Sequence, residues 1–572
     1  MTSHKSGHER KRSTTGIDRR TFLGHASCAA GAAMLSPWIG STAVFAAEGP
    51  VAETTAGKIS GVTTNGVHGF KGVPYGAPTS GRNRFMPPQK PQPWTGVRSA
   101  TEWAGRAPQL PPGWRQRPEL SGLSGAPDRL AESEECLTLN VFTRGLNDGG
   151  KRPVMVWYHG GGFSYSSSNT PRLDGTNLAA QHDVVVVTVN QRLNILGHLH
   201  LADIGGEAFA QSGNAGTLDM VAALQWVRDN AERFGGDPRN VTIFGQSGGG
   251  GKVSTLLATP AARGLFRKAI VMSGAAVRLT TRERAAKLAD AVLMQLKLTR
   301  TQLGELQTMP FQQLIAAVGP ARKSVGPPEQ PLLDRYDFGP VIDGKTLPSQ
   351  PFDPVATEVS ADIPVMIGNV KDEMAIYLAP DDKVWNRVLT EDEMRAQITP
   401  VAGSATDRVI EIYRGLYPGA SASDRLISTL TDSNFRIRTQ LLAERKVAQN
   451  RAPLWLYSFD WETPVFDGKL KAYHALDVPF VFNTIDAVGA TDRGPVAHDL
   501  SRRMCATWAA FARTGKPDNA AIPHWPAYTL AERSTMIFNR ECSVAKDYGR
   551  EARLLWKDIA QEIIKTANIK PD

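Results

Sequence analysis

Val241-Thr242-Ile243-Phe244-Gly245-Gln246-Ser247-Gly248-Gly249 is the stretch on which the fold of this chain turns. An apolar, β-branched run leads into a glycine and then a serine flanked by further glycines. The pattern predicts a strand, a sharp turn and the start of a helix. Gly245-Gln246-Ser247-Gly248-Gly249 has the G-x-S-x-G form of a nucleophile elbow, in which a strained strand-to-helix turn lifts a serine hydroxyl off the sheet edge. Glycines are needed there because the two backbones pass close to the serine and the turn is strained. The string also arises by chance in Gly-rich loops, so its meaning depends on what the rest of the chain supplies.

An elbow needs donors for a developing oxyanion. Val154-Met155-Val156-Trp157-Tyr158 reads as a buried strand and ends in His159-Gly160-Gly161-Gly162-Phe163. This is an HGGG-type turn, whose backbone N–H groups can point at a carbonyl oxygen. The candidate donors are the N–H groups of Gly161, Gly162 and Gly248. An acid and a base must then follow the serine in the order Ser, Asp/Glu, His. Glu373 follows the apolar run Pro364-Val365-Met366-Ile367-Gly368, and His474 lies in Ala472-Tyr473-His474-Ala475-Leu476-Asp477. Spacing alone does not separate these two from surface carboxylates and from the other loop histidines among the eleven in the chain.

Further motifs carry a resemblance. Phe70-Lys71-Gly72-Val73-Pro74-Tyr75-Gly76, Arg84-Phe85-Met86-Pro87-Pro88 and Pro93-Trp94 come first. Ser133-Glu134-Glu135-Cys136-Leu137-Thr138-Leu139-Asn140-Val141, Asn214-Ala215-Gly216-Thr217-Leu218-Asp219 and Phe234-Gly235-Gly236-Asp237-Pro238 follow. In this order, over residues 51–539, they resemble the type-B carboxylesterase family, which includes bacterial para-nitrobenzyl esterases and animal cholinesterases. The resemblance implies an α/β-hydrolase fold, with a mostly parallel central sheet flanked by helices and long insertions forming an active-site gorge. It implies a catalytic triad of Ser247, Glu373 and His474, with Gly161, Gly162 and Gly248 as the oxyanion hole. It also makes Arg84 and Glu134 a structural ion pair.

Some positions depart from the family. Its usual glutamate before the nucleophile is Gln246 here, which removes a negative charge but keeps hydrogen-bonding capacity. Its usual alanine after the nucleophile is Gly248, which still offers an N–H. Cys136 resembles a cysteine that animal members bridge to one upstream, but no cysteine lies between Glu48 and Glu135. Cholinesterases carry a Trp shortly before the second signature for cation–π binding; residues 126–132 hold no aromatic, which argues against choline esters.

Residues 1–46 read as an export signal. Asp18-Arg19-Arg20-Thr21-Phe22-Leu23 has twin-arginine form, a mildly apolar stretch follows, and Val44-Phe45-Ala46 offers a small-residue cleavage site. The expected partner of Arg19 and Arg20 is the twin-arginine translocase, and the expected location is periplasmic or secreted. The apolar stretch holds Gly, Ser and Pro37, so stable membrane insertion is not expected, and Cys28 lacks a lipobox spacing. The formal charge is +9. Six cations and two anions fall in residues 1–46, leaving a mild surplus near +5 beyond them. No dense Lys/Arg run interleaves with aromatics, so nucleic acid is not an expected partner. After removal of Cys28, the three remaining cysteines leave at least one unpaired. Cys136 reads as a small buried hydrophobe, and pairing of Cys505 with Cys542 stays open.

Residues 47–572 read as one large α/β domain. Val184-Val185-Val186-Val187-Thr188-Val189, 269–272 and 454–459 look like buried strands, and 218–234, 500–511 and 552–564 like helices. Residues 106–130 and 322–331 are Pro/Gly-rich and expected to be irregular loops near the gorge mouth. Gly248-Gly249-Gly250-Gly251-Lys252 fails the phosphate-loop register, because Gln246 and Val253 stand where Gly and Ser/Thr are required. His198 and His200 are read as surface histidines, not metal ligands; Ser273 resembles a serine that supports the triad in relatives, and a strand-end hydroxyl capping a turn explains it equally well. The expected activity is hydrolysis of small carboxylic esters through an acyl-enzyme, with no metal or cofactor. Amide or carbamate hydrolysis by the same triad, or a binding or adhesion role, are the alternatives. Oligomeric state is not legible.

Overall fold

The apolar runs become the middle of one sheet of eleven strands. The computed structural model describes residues 49–568 except 112–116, 127–129, 329–331 and 335, all within one compact unit, Ala47–Asp572. The expected export segment, with Arg19, Arg20 and Cys28, lies outside the described residues.

In chain order the strands are β1 Val62–Thr64, β2 Val67–Pro74, β3 Thr138–Thr143, β4 Arg152–Tyr158 and β5 Val185–Val189. Then come β6 Gly236–Gln246, β7 Lys268–Met272, β8 Val365–Val370, β9 Leu454–Phe459, β10 Thr535–Phe538 and β11 Ser543–Ala545. Their spatial order is β11-β10-β9-β8-β7-β6-β4-β5-β3-β2-β1. From β10 to β5 every pair is parallel, and the sheet turns antiparallel at both edges. Parallel strands need crossovers, and those helices cover both faces, so the strands read as unbroken apolar runs. All five residues of β5 are buried. Helices Ala215–Asn230, Gly248–Leu257, Ile437–Val447 and Pro495–Thr514 pack against the sheet.

A second apolar cluster joins Leu288 and Val292 of helix Arg282–Leu296 to Leu314 and Val318 of helix Phe311–Val325. This corrects one expectation. The stretch 322–331 does not begin as a loop, because the buried face of helix Phe311–Val325, ending in Ala321, carries the helix on past Pro320. Arg84 and Glu134 form a bidentate pair at 2.7 and 2.6 Å, and Arg84 also donates to the carbonyls of Leu306 and Met309. That ties the N-terminal part of the chain to the insertion helices. Cys136, Cys505 and Cys542 are free thiols, and the first two are buried. No helix among the described residues is long and apolar enough to cross a membrane.

Candidate active site

Strand β6 ends at Gln246, and Ser247 follows with φ 58° and ψ −124°. A non-glycine residue at positive φ is held there only by its surroundings. The Ser247 N–H donates to Met272 O of β7 at 2.8 Å, and its carbonyl accepts from Gly251 N at 3.0 Å. The neighbouring strand and the elbow helix Gly248–Leu257 thus clamp the turn from both sides. Ser247 is half-buried between buried neighbours.

Strand β4 lies beside β6, and its exit turn meets the elbow. Gly161 and Gly162 have φ +83° and +65°. A Cβ on Gly248 would fall 2.3 Å from Gly162 N, and one on Gly249 would fall 2.0 Å from Tyr158 O. Side chains are therefore excluded where helix and turn touch. Among the described residues, the N–H groups of Gly161, Gly162 and Gly248 donate to no other protein group.

The turn is also tied from below. Lys252, fully buried in the elbow helix, donates from Nζ to His159 O at 2.8 Å. Burial lowers the lysine pKa well below its ordinary value. The His159 ring bridges Gly160 O at 2.9 Å and the Gln191 side chain at 3.0 Å. Its pKa is lowered by burial and, secondarily, by the Lys252 charge.

Glu373 sits just past the end of β8, with no exposed surface. One carboxylate oxygen accepts from Asn369 Nδ2 at 3.2 Å and Val370 N at 3.1 Å. The other pairs with His474 Nδ1. The two loops are joined where Asp372 N donates to Ala472 O at 3.0 Å. Tyr377 and Phe435 flank the imidazole, with ring centroids 5.3 and 5.0 Å away. Nε2 of His474 faces the Gln246 side-chain amide at 3.3 Å. The Ser247 hydroxyl makes no hydrogen bond among the described residues. Such contacts are often long before substrate binds.

Behind Glu373 lies a second carboxyl, Asp477, fully buried and touched by Tyr457 Oη at 3.2 Å. Burial first, and the nearby Glu373 charge second, push its pKa up to about 7. The fold thus sets Glu373 against His474, packs Gly248 beside Ser247 against Gly162 of the glycine turn, and brings His474 to Gln246, the residue before Ser247. Two smaller expectations fail. His198 and His200 are buried, not on the surface, because His198 packs its ring against Phe163 and His200 sits 3.3 Å from Asp203. The Ser273 hydroxyl is buried and caps nothing, having no partner among the described residues. In the sequence, Lys252 carries only the failed phosphate-loop pattern, and Asp477, three residues past His474, carries no signal of its burial.

A serine elbow at the carboxyl end of a parallel strand, an HGGG turn and a buried acid–imidazole pair define a member of the α/β-hydrolase fold. The chain matches the carboxylesterase family over residues 48–556. It is 37% identical to the para-nitrobenzyl esterase of Bacillus subtilis (strain 168), across 88% of this chain and 97% of that protein. It is 32% identical to the phenmedipham hydrolase of Pseudarthrobacter oxydans, across 88% and 97%. The crystal structure of a Geobacillus stearothermophilus carboxylesterase superposes with a TM-score of 0.75 at 36% identity, covering 88% of this chain and 99% of that one. The chain belongs to the carboxylesterase family, and its enzyme class is hydrolysis of carboxylic esters.

Proposed function

We propose that this carboxylesterase works through an acyl-enzyme on Ser247. His474 Nε2 takes the Ser247 proton as Oγ attacks the ester carbonyl. The carbonyl π electrons move onto oxygen, and the N–H groups of Gly161, Gly162 and Gly248 bind that oxyanion. Collapse breaks the ester C–O bond, and the proton on His474 passes to the leaving alcohol. Water then repeats the sequence on the acyl-serine and releases the acid. Glu373 holds the imidazole tautomer and balances the histidinium.

The observation that carries this reading is the buried pairing of His474 Nδ1 with Glu373, which leaves Nε2 turned toward the elbow. Ser247→Ala tests it: turnover on a nitrophenyl ester should fall roughly 10⁶-fold while circular dichroism and Tm are retained. A fluorophosphonate probe should label the natural chain and not the variant. Near-normal cleavage by the alanine variant would refute the assignment.

For location, the reading supported by residues 18–46 is twin-arginine export and cleavage after Ala46. Replacing Arg19 and Arg20 together by lysine should hold the full-length precursor in the cytoplasm. Continued appearance of processed enzyme outside would rule that out.

A further inference from the structure

Charged groups taken from water are normally paired or hydrogen-bonded. The enclosed arginines here follow that rule. Arg84 meets Glu134, Arg192 meets Asp219, and Arg436 meets Asp432. Arg172 does not. It lies in the short turn Pro171–Leu173 and is half-buried. Among the described residues its guanidinium makes no ion pair and no hydrogen bond, and none of its nitrogens is sealed from open space. Its backbone carbonyl is engaged separately, by the Thr484 hydroxyl.

The turn that carries Arg172 packs against helix Val478–Phe482, which begins four residues past the base. The groups that feel its charge are His159, Tyr165 and Tyr473. His159 opens the oxyanion turn, where a Cβ on the next residue, Gly160, would lie 3.5 Å from Ser247 Cβ. Tyr473 precedes the base. Burial pulls the Arg172 pKa down, and the two tyrosine hydroxyls only partly oppose it, yet a guanidinium keeps its proton in proteins. Among the described residues no carboxylate neutralises it. Glu373 is committed to His474, Asp174 faces Lys71, and position 246 carries an amide. Lys252 adds a second basic group beside His159.

We infer that Arg172 is a specificity residue for an anionic substrate, gripping a carboxylate carried by the ester at some distance from the bond that is cut. A planar guanidinium matches a carboxylate in two-point geometry. The substrate class is then a half-ester of a di- or polycarboxylic acid, or an ester whose alcohol part bears a carboxylate. The inference rests on the esterase reading above.

Two substrate pairs test it. The first is the 4-nitrophenyl ester of glutaric acid with its far carboxylate free, against the same ester with that carboxylate replaced by a carboxamide. The second is 4-carboxyphenyl butyrate against 4-carbamoylphenyl butyrate. In the natural enzyme, kcat/KM should favour the anionic member of one pair by about tenfold or more, and the favoured pair tells which side of the ester Arg172 reads. Arg172→Gln should bring that ratio close to one, chiefly through KM, and Arg172→Lys should keep part of it. Added salt should erode the preference. No preference in either pair by the natural enzyme, or a preference that survives in Arg172→Gln, overturns the inference while leaving the esterase intact. Failure of the natural enzyme to cleave either carboxamide ester, with no fluorophosphonate labelling of Ser247, would instead defeat the esterase reading and this inference with it.

Discussion

The side-chain amide of Gln246 faces Nε2 of His474 at 3.3 Å, the ring atom that takes the serine proton in the proposed mechanism. With Nδ1 held by Glu373, the neutral imidazole presents a lone pair at Nε2, and the amide N–H₂ is oriented to donate to it. In this orientation Gln246 is matched to the neutral base, and only a turned-over amide would present its oxygen to the histidinium. A carboxylate in the same place would favour the protonated ring. Gln246→Glu should therefore move the acid limb of the kcat/KM profile to higher pH, by about one pH unit. A pH–rate series on a neutral nitrophenyl ester measures this. An unmoved limb would mean that residue 246 does not act on the base.

Gly248 and Gly162 make a tighter contact than the family resemblance suggests. Alanine is usual after the nucleophile, yet here a Cβ on Gly248 would meet Gly162 N, Cα and O at 2.3, 2.4 and 2.2 Å. Those are main-chain atoms of the oxyanion turn, so accommodation means moving the donors. Gly248→Ala should lower kcat about 10²-fold, the scale on which a lost oxyanion donor is felt, with KM changed less. Steady-state kinetics decide it. Unchanged kcat would show that the turn can withdraw without losing its aim.

How much of this was legible beforehand depends on whether a feature is local. Val185–Val189 and Leu454–Phe459 are continuous apolar runs, which any buried parallel strand requires, so they read directly. The elbow read directly as well, because its glycines and serine are consecutive. Glu373 and His474 stand 101 positions apart, and nothing in their immediate surroundings marks them, so only the family resemblance singled them out. Arg172 and Asp477 were not legible in any form. The interest of Arg172 lies in an ion-pair partner missing among the described residues, and that of Asp477 in the Glu373 charge packed near it; both are properties of the folded arrangement. His198 and His200 were misplaced for the opposite reason: a polar residue type suggested the surface, while Phe163 and the packed interior around it took both rings in.

Asp477 sets a pH dependence of stability. Its folded pKa is raised to about 7, against roughly 3.9 in an unfolded chain. Between those values the folded state binds more protons, so this residue's contribution falls as pH rises from about 4 to about 7 and then levels off. Each pH unit of separation is worth about 1.4 kcal/mol. Asp477→Asn keeps an oxygen for the Tyr457 hydroxyl and removes the titration. Relative to the natural chain, the variant should gain in Tm between pH 4.5 and pH 8, where its advantage is greatest. Paired melting curves at both pH values test this, and a Tm difference independent of pH would contradict it.

Lys252 links the two halves of the site through one hydrogen bond. It lies five residues past the nucleophile, and its Nζ donates to His159 O at 2.8 Å, so the elbow helix itself holds the base of the oxyanion turn. The Phe163 ring, 5.7 Å from Nζ, closes over it. Lys252→Met keeps the length of the side chain and its apolar contacts but drops the donor. The His159 carbonyl is then buried without its partner, and the peptide that orients Gly161 and Gly162 is free to rotate. Small misplacements of catalytic groups cost up to about 10²-fold. The expected result is a 10- to 100-fold fall in kcat, slower labelling by a fluorophosphonate, and a Tm that is not lower at pH 7, because a costly buried amine has been removed. Full activity in this variant would show that the glycine turn holds its shape without the lysine.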